Sequence, residues 1–326
     1  MNPKVTVLIP VFNRERFVDE AIRSVFEQEF SDFELLVVDD GSTDRTPDVL
    51  ESWKQRDPRI AVVTSPANQG IPAALNLGLA HARGKYVARL DSDDLMMPRR
   101  LTAQAAILDA RPDVALVSCW YDIVDLDGKH LGTWKGDEPH EVMTFLLSFY
   151  NFIGGGGQVM FRLEDVLESG GYALEYPTSE DYDLWVRLLR RGRIETLPFV
   201  GMTKRQHDGM SHLLFRDVKL VNWRGIMRSS LEAYLRRPLR DEEIGALITL
   251  WRRDQRLGMS EIANSLMREA FARFRSEVPD RTLQTHARKR VAGQWYIAAR
   301  IYASAGHRLE AMKYLAHAAR WRVTPW

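Results

Sequence analysis

Five short apolar runs, separated by stretches of helical periodicity, constrain this chain more than any other feature. They are VTVLI (5–9), ELLVVDD (34–40), IAVV (60–63), KYVARL (85–90) and VALVSCWY (114–121). Each has the length of a strand, and most are rich in β-branched residues. Between the first two, Phe17, Val18, Ala21, Ile22, Val25 and Phe26 recur at the spacing that places side chains on one helix face. Residues 48–56, 71–83 and 98–110 also read as helices, with Pro47 and Pro98 at the start of two of them. Strands joined by helices run parallel, and a strand apolar throughout is covered on both faces. The alternation predicts an α/β fold, a mostly parallel central sheet flanked by helices.

The pattern loosens after residue 120. Asp127-Gly128 reads as a hairpin turn, residues 132–153 fit neither period, and IGGGGQVMF follows at 153–161. Tyr182–Arg190 reads as an amphipathic helix and ETLPFVG (195–201) as a strand. From about residue 212 the text is nearly all helical, with breaks near Pro238, Gly258, Pro279 and Gly306. Charge divides at the same place. Residues 1–211 hold 23 Lys+Arg against 33 Asp+Glu, a net of −10, and residues 212–326 hold 22 against 11, a net of +11. Two units are expected: an α/β domain over 1–211 and a basic α-helical C-terminal region over 212–326. The one cysteine, Cys119, sits in a strand run and excludes an intrachain disulfide. No leader pattern opens the sequence, and no run approaches the ~18 apolar residues of a membrane-spanning helix. The expectation is a cytoplasmic protein, with peripheral contact at the inner membrane through the basic region. There, Trp321 and Trp326 beside Arg320 and Arg322 suit an interfacial anchor.

Acids gather where ligands bind in an open parallel sheet, at the carboxyl ends of strands. Asp39 and Asp40 close one run; Asp91, Asp93 and Asp94 close another. Clustered carboxylates repel one another unless a cation or a hydroxyl-rich ligand sits among them. An Asp-x-Asp turn offers the hard oxygen ligands that suit Mg²⁺ or Mn²⁺ shared with substrate phosphates. A solvated turn with capping aspartates is the other reading of the same residues. A third acidic group, Ser179-Glu180-Asp181, opens a helix, where it can cap the N-terminus.

Several ordered motifs resemble a known family. VTVLIPVFNRERFVDEAIRSVFEQEFSDFELLVVDDGSTDRT and NQGIPAALNLGLAHARGKYVARLDSDDLMMPRRL look like the opening of a family-2 glycosyltransferase of GT-A fold. GGYALEYPTSEDYDLWVRLLRRG is similar to the family's acceptor-side motif, and the resemblance spans about residues 4–212. It implies transfer of a sugar from a nucleotide-sugar to an acceptor hydroxyl, with inversion at the anomeric carbon. It also implies that Pro10, Val11 and Asn13 line a nucleotide pocket. Asp40, supported by Asp39, would accept a hydrogen bond from the base. Asn68 and Gly70 would pass near base and ribose, and Asp91 would lie near the ribose. Asp93 would hold Mn²⁺ or Mg²⁺, with Asp94 and His207 as further candidate ligands and Arg205 and Ser211 near the histidine. Asp181 would be the base and Glu180 its understudy. The Gly154–Gly157 run would form part of the acceptor and sugar floor, or a lid. Many relatives carry an arginine in the segment matching Ala73–Asn76, which here reads AALN. The Gln-x-x-Arg-Trp motif and membrane helices of processive synthases are missing from the sequence, which favours addition of one or a few sugars.

The expected partners are a nucleotide-sugar, UDP-linked ahead of dTDP- or GDP-linked, and a glycan or lipid-linked acceptor of surface polysaccharide synthesis. Two rival classes are weighed against this. A nucleotidyltransferase would need a Gly-rich, basic N-terminal loop, and PVFNRE is not one. A non-catalytic nucleotide-sugar-binding protein would not need Asp93 and Asp181 together. Nucleic acid is the less favoured partner of the basic region.

Overall fold

The computed structural model describes residues 2–207, 216–252 and 257–323. The first strand, β1 (Val5–Val11), is buried almost throughout, as is β2 (Phe33–Asp39) beside it. With β3 (Ile60–Thr64) and β4 (Tyr86–Arg89) they form the parallel part of the sheet. The crossovers are α1 (Val18–Phe26), α2 (Thr46–Arg56) and α3 (Ile71–His81). One face of β1 packs Val5, Val7 and Ile9 against Val18, Ala21, Ile22 and Val25 of α1. On α3, Gly78 lies close to Leu8 of β1; a Cβ there would come within 2.3 Å of its side chain.

The rest of the sheet is mixed. β5 (Leu95–Met96), α4 (Arg100–Ala110), β6 (Val114–Val124) and β7 (His130–Trp134) follow in the chain. β6 and β7 form a hairpin around the expected Asp127-Gly128 turn, with Gly128 at φ +79°. After α5 (His140–Leu147) come β8 (Met160–Arg162), α6 (Leu163–Glu168), α7 (Glu180–Leu188) and β9 (Arg193–Arg205). The sheet order is β3-β2-β1-β4-β8-β6-β9-β5, with β7 paired to β6. β8 is antiparallel to both β4 and β6, β9 is parallel to β6, and β5 is antiparallel to β9. The parallel expectation holds for β3-β2-β1-β4 and gives way to a mixed arrangement beyond it. The short β5 and β8 carry too few residues to show a period, so the sequence did not announce them. Cys119 is buried in β6, as expected.

The C-terminal helices are α8 (Arg216–Leu235), α9 (Asp241–Arg252), α10 (Ser260–Glu277), α11 (Arg281–Ser304) and α12 (Arg308–Val323). Their ends fall near Pro238, Gly258, Pro279 and Gly306, where the sequence put them. Asp280 caps α11 by accepting from the Thr282 and Leu283 amides. Two compact units emerge, Met1–Glu138 with Ile153–Asn222 and Pro139–Phe152 with Trp223–Trp326. The boundary expected between 211 and 212 lies outside the described residues, and the 139–152 segment goes with the helices. There Phe145 and Phe149 join Phe271, Phe274 and Trp251 in an aromatic cluster. Trp321 is no interfacial anchor: it is fully buried and donates its indole N–H to Asn264 Oδ1 at 3.0 Å. Trp326 lies outside the described residues. Among the described residues no helix is long and apolar enough to cross a membrane.

Candidate active site

The loops after β1 and β2 are stitched together at the carboxyl edge of the sheet. Asn13, at φ +51°, accepts the Thr43 amide on Oδ1 at 2.8 Å and donates its own amide to Ser42 Oγ at 3.0 Å. Asp39 accepts the Ser42 amide at 3.0 Å, so it caps this turn, a role that can stand beside its expected support of Asp40. Asp40 is buried and accepts the Gln69 amide at 3.0 Å and the Gly70 amide at 2.8 Å. Its carboxylate thereby fixes the entry to α3, a task not foreseen from sequence. Two carboxylate oxygens offer about four acceptor sites, so capacity for a further donor remains. Gly41, at φ +73°, runs against the next loop; a Cβ would meet Ala67 backbone at 2.8 Å. Asn68 is exposed, Pro10 is half-buried, and the Val11 side chain belongs to the core.

The second acid group follows β4. Asp93 is partly exposed, and its Oδ2 lies 3.0 Å from His207 Nε2 and 3.6 Å from Arg14 Nε. His207 stacks on Phe17 with ring centroids 5.0 Å apart. Burial presses the Asp93 carboxyl toward neutrality, but the His207 hydrogen bond and the Arg14 and Lys204 charges outweigh it and hold the group below its ordinary pKa. Asp94 behaves oppositely. It is fully buried, its Oδ1 accepts the Arg205 amide at 3.0 Å, and its Oδ2 has no hydrogen-bond partner. Burial, reinforced by Asp93 and Asp91 against the opposing Lys204 charge, drives its carboxyl well above the usual range. Lys204 is itself largely buried. Burial lowers its pKa, yet Asp94, Tyr121, Asp91 and Asp93 together leave it raised.

The third group opens α7. Glu180 is buried, Asp181 is half-buried, and the Asp181 carboxylate accepts the Tyr182 amide at 2.6 Å. Arg89 joins this group to the second one. Its guanidinium lies 3.1 Å from Glu180 Oε1 and 3.1 Å from Asp91 Oδ1, deep in the protein. Desolvation, partly offset by Arg89 and aided by Asp181, pushes the Glu180 carboxyl up to about 7. Arg100 is fully buried behind Arg89. It donates to the carbonyls of Arg89 and Gly157 at 2.7 Å and of Val159 at 3.0 Å. Gly156 packs directly on the Arg89 guanidinium, where a Cβ would fall 2.2 Å from Nη1. Gly156 thus leaves room for a buried cation.

Two arginines therefore link what the sequence left separate. Arg14, from the loop stitched to the Asp39–Asp40 turn, reaches Asp93, and Arg89 ties Asp91 to Glu180. Sequence reasoning missed Arg14, Arg89, Arg100 and Lys204. The one available signal was position: Arg89 stands in an otherwise apolar strand two residues before Asp91. Arg205 is buried and paired with Glu20, and Ser211 lies outside the described residues. Among the described residues no three His, Cys, Asp or Glu side chains make a complete metal cage. The donor set still fits a hard cation. Mg²⁺ and Mn²⁺ are bound through one or two carboxylates plus water and phosphate oxygens, and the unsatisfied Asp94 Oδ2 marks a buried acceptor beside Asp93. A separate cleft of about 470 Å³, lined by Gly84, Lys85 and Arg162, opens at the other end of β4, away from these acids.

Comparison with known proteins bears on this arrangement. Residues 6–168 match the model of glycosyl transferase family 2. An uncharacterized glycosyltransferase of Haemophilus influenzae is 27% identical over 245 residues, covering 72% of this chain and 75% of that protein. The putative teichuronic acid biosynthesis glycosyltransferase TuaG of Bacillus subtilis is 32% identical over 58% of this chain and 73% of its own length. Among solved structures, S. aureus TarS 1–349 in complex with UDP-GlcNAc superposes with a TM-score of 0.61 at 20% identity, covering 98% of this chain and 91% of that one. Mannosyltransferase PcManGT from Pyrobaculum calidifontis, in complex with GDP-Man and Mn²⁺, gives 0.58 at 20% identity over 99% and 88%. At such identity the structures establish likeness of fold.

Proposed function

The chain belongs to glycosyl transferase family 2 and is a transferase of GT-A-like α/β fold; from that premise we propose a metal-dependent, inverting transfer of a sugar from a UDP-sugar to an acceptor hydroxyl. The observation that carries this reading is the buried Asp91–Arg89–Glu180 bridge. It brings the acids after β4 and the acids opening α7 into one network. A donor diphosphate and an acceptor hydroxyl must meet in just such a place.

In this reading the loops holding Pro10, Val11, Asn13, Asp39 and Asp40 receive the base, with Asn68 and Gly70 nearby and Asp91 beside the ribose. Asp40 has acceptor capacity left for an imide N–H. Asp93, with Asp94 and His207, would hold Mn²⁺ or Mg²⁺, which when bound offsets the charge growing on the departing diphosphate. Lys204 and Arg14 add fixed positive charge to the same region. Asp181 takes the proton of the acceptor hydroxyl as that oxygen attacks the anomeric carbon from the face opposite the diphosphate. Glu180, held by Arg89, fixes the first turn of α7 so that Asp181 keeps its place. The acceptor is a glycan or lipid-linked saccharide of surface polysaccharide synthesis, a reading supported by the relative named for teichuronic acid biosynthesis.

Asp181→Asn is the test. It should bind UDP with Mn²⁺ as the parent does, read as an unchanged thermal shift, while transfer falls by about 10²–10⁴-fold. Transfer at the parental rate would remove Asp181 from the role of base.

A further inference from the structure

We propose that the outward face of α12 is a docking surface for an anionic lipid bilayer. The helix buries Ala311, Tyr314, His317, Ala318 and Trp321 along one side. The other side exposes Leu309 (80%), Met312 (66%) and Leu315 (44%). Arg308, Arg320 and Arg322 are exposed on the same helix. Its one acid, Glu310, is turned inward, where it accepts the Gly258 amide at 3.1 Å and pairs with Lys313 at 3.1 Å. The exposed face of α12 therefore carries apolar and cationic side chains and no carboxylate. The preceding helix α11, joined to it by a turn at Gly306, adds exposed Tyr296, Ile297 and Arg300. Between residues 281 and 323 the chain has nine Lys or Arg and one Glu.

Charge complementarity and the apolar residues together select the partner. A helix that only faces water gains nothing from three exposed large apolar side chains and normally mixes both signs of charge. An anionic bilayer uses both features: apolar tips enter the headgroup–acyl boundary while guanidinium groups meet lipid phosphates. A nucleic acid would engage the cations and leave Leu309 and Met312 in water. A second copy of the chain would oppose two cationic faces. The proposal stands apart from the sugar-transfer reading, since its test measures binding alone.

The test uses the full chain and sedimentation with phosphatidylcholine vesicles, with and without phosphatidylglycerol, over a salt series. The parent should bind the anionic vesicles, release as salt rises, and ignore the neutral ones. Arg308→Gln/Arg322→Gln should weaken binding on the order of 25-fold, at about fivefold per cation near a charged surface. Leu309→Ser/Met312→Ser keeps every charge and should weaken it by about tenfold or more. All four positions are exposed, so the variants should unfold at the parental temperature. Four results would overturn the proposal. One is vesicle binding that either pair of substitutions leaves intact, or no vesicle binding at all. Another is duplex DNA binding at equal strength, unchanged by the apolar pair. The last is self-association abolished by that pair.

Discussion

At the scale of single residues, charge is organised here by arginines for which the sequence offers at most one signal, the place of Arg89 in an apolar strand. The aspartates were legible because acids at strand ends and helix starts are rarely placed there by packing. Arg89 and Arg100 were not, because an arginine in a run reads as a surface charge until the fold supplies its partners. Burying Arg89 is tolerable only because Asp91 and Glu180 meet it, and removing one member of such a set leaves the others charged and dry. Arg89→Met should therefore cost about 3–5 kcal/mol in urea unfolding. It should also shift Glu180. The guanidinium now restrains that carboxyl at about 7, so its loss moves ionisation to higher pH. Any limb that Glu180 ionisation contributes to the pH–rate profile should move to higher pH in Arg89→Met, and by less in Arg89→Lys. A pH–rate profile that merely scales down, with its limbs unmoved, would assign Arg89 to stability alone.

At the scale of elements, the regular α/β half was readable and the irregular half was not. β1, β2, β4 and β6 are continuous apolar runs with a physical reason to be so, burial on both faces. β9 is longer than its readable core, running from Arg193 to Arg205, because its register against β6 shifts near Cys119 and Trp120 and spreads the apolar positions. The glycine run shows the same limit. Four glycines suggest a floor or a lid, and the fold adds a use that the run did not announce, with Gly156 making room for Arg89. Gly156→Ala would drive a methyl into a guanidinium held on both sides, so swinging aside is not open to it. A loss of about 1–3 kcal/mol is expected, with a fall in transfer. Gly155→Ala, whose added carbon would find its nearest neighbour at 3.6 Å, should be near neutral. Equal melting temperatures for the two variants would separate the glycine run from the charge network.

At the scale of the whole molecule, the split into acidic and basic parts was legible because composition averages over many residues. Membership of the segment 139–152 was not, since nothing local says which distant side chains it will meet. Phe145, Leu146 and Phe149 are fully buried, and the aromatic rings around Phe145 and Phe149 include Phe271, Phe274 and Trp251. A chain ended at residue 211 keeps the first set and loses the second. Each of the three stranded side chains forfeits about 1.5–3 kcal/mol of burial and adds exposed apolar surface. That fragment should aggregate or bind a hydrophobic dye, although it retains every residue proposed to hold donor and acceptor. Phe145→Ser/Leu146→Ser/Phe149→Ser in the fragment should restore solubility, because the segment no longer has apolar surface to bury. In the full chain the same three substitutions should lower the melting temperature sharply. If the unmodified fragment were instead monomeric, cooperatively folded and silent to the dye, residues 139–152 would not depend on the C-terminal helices for their burial.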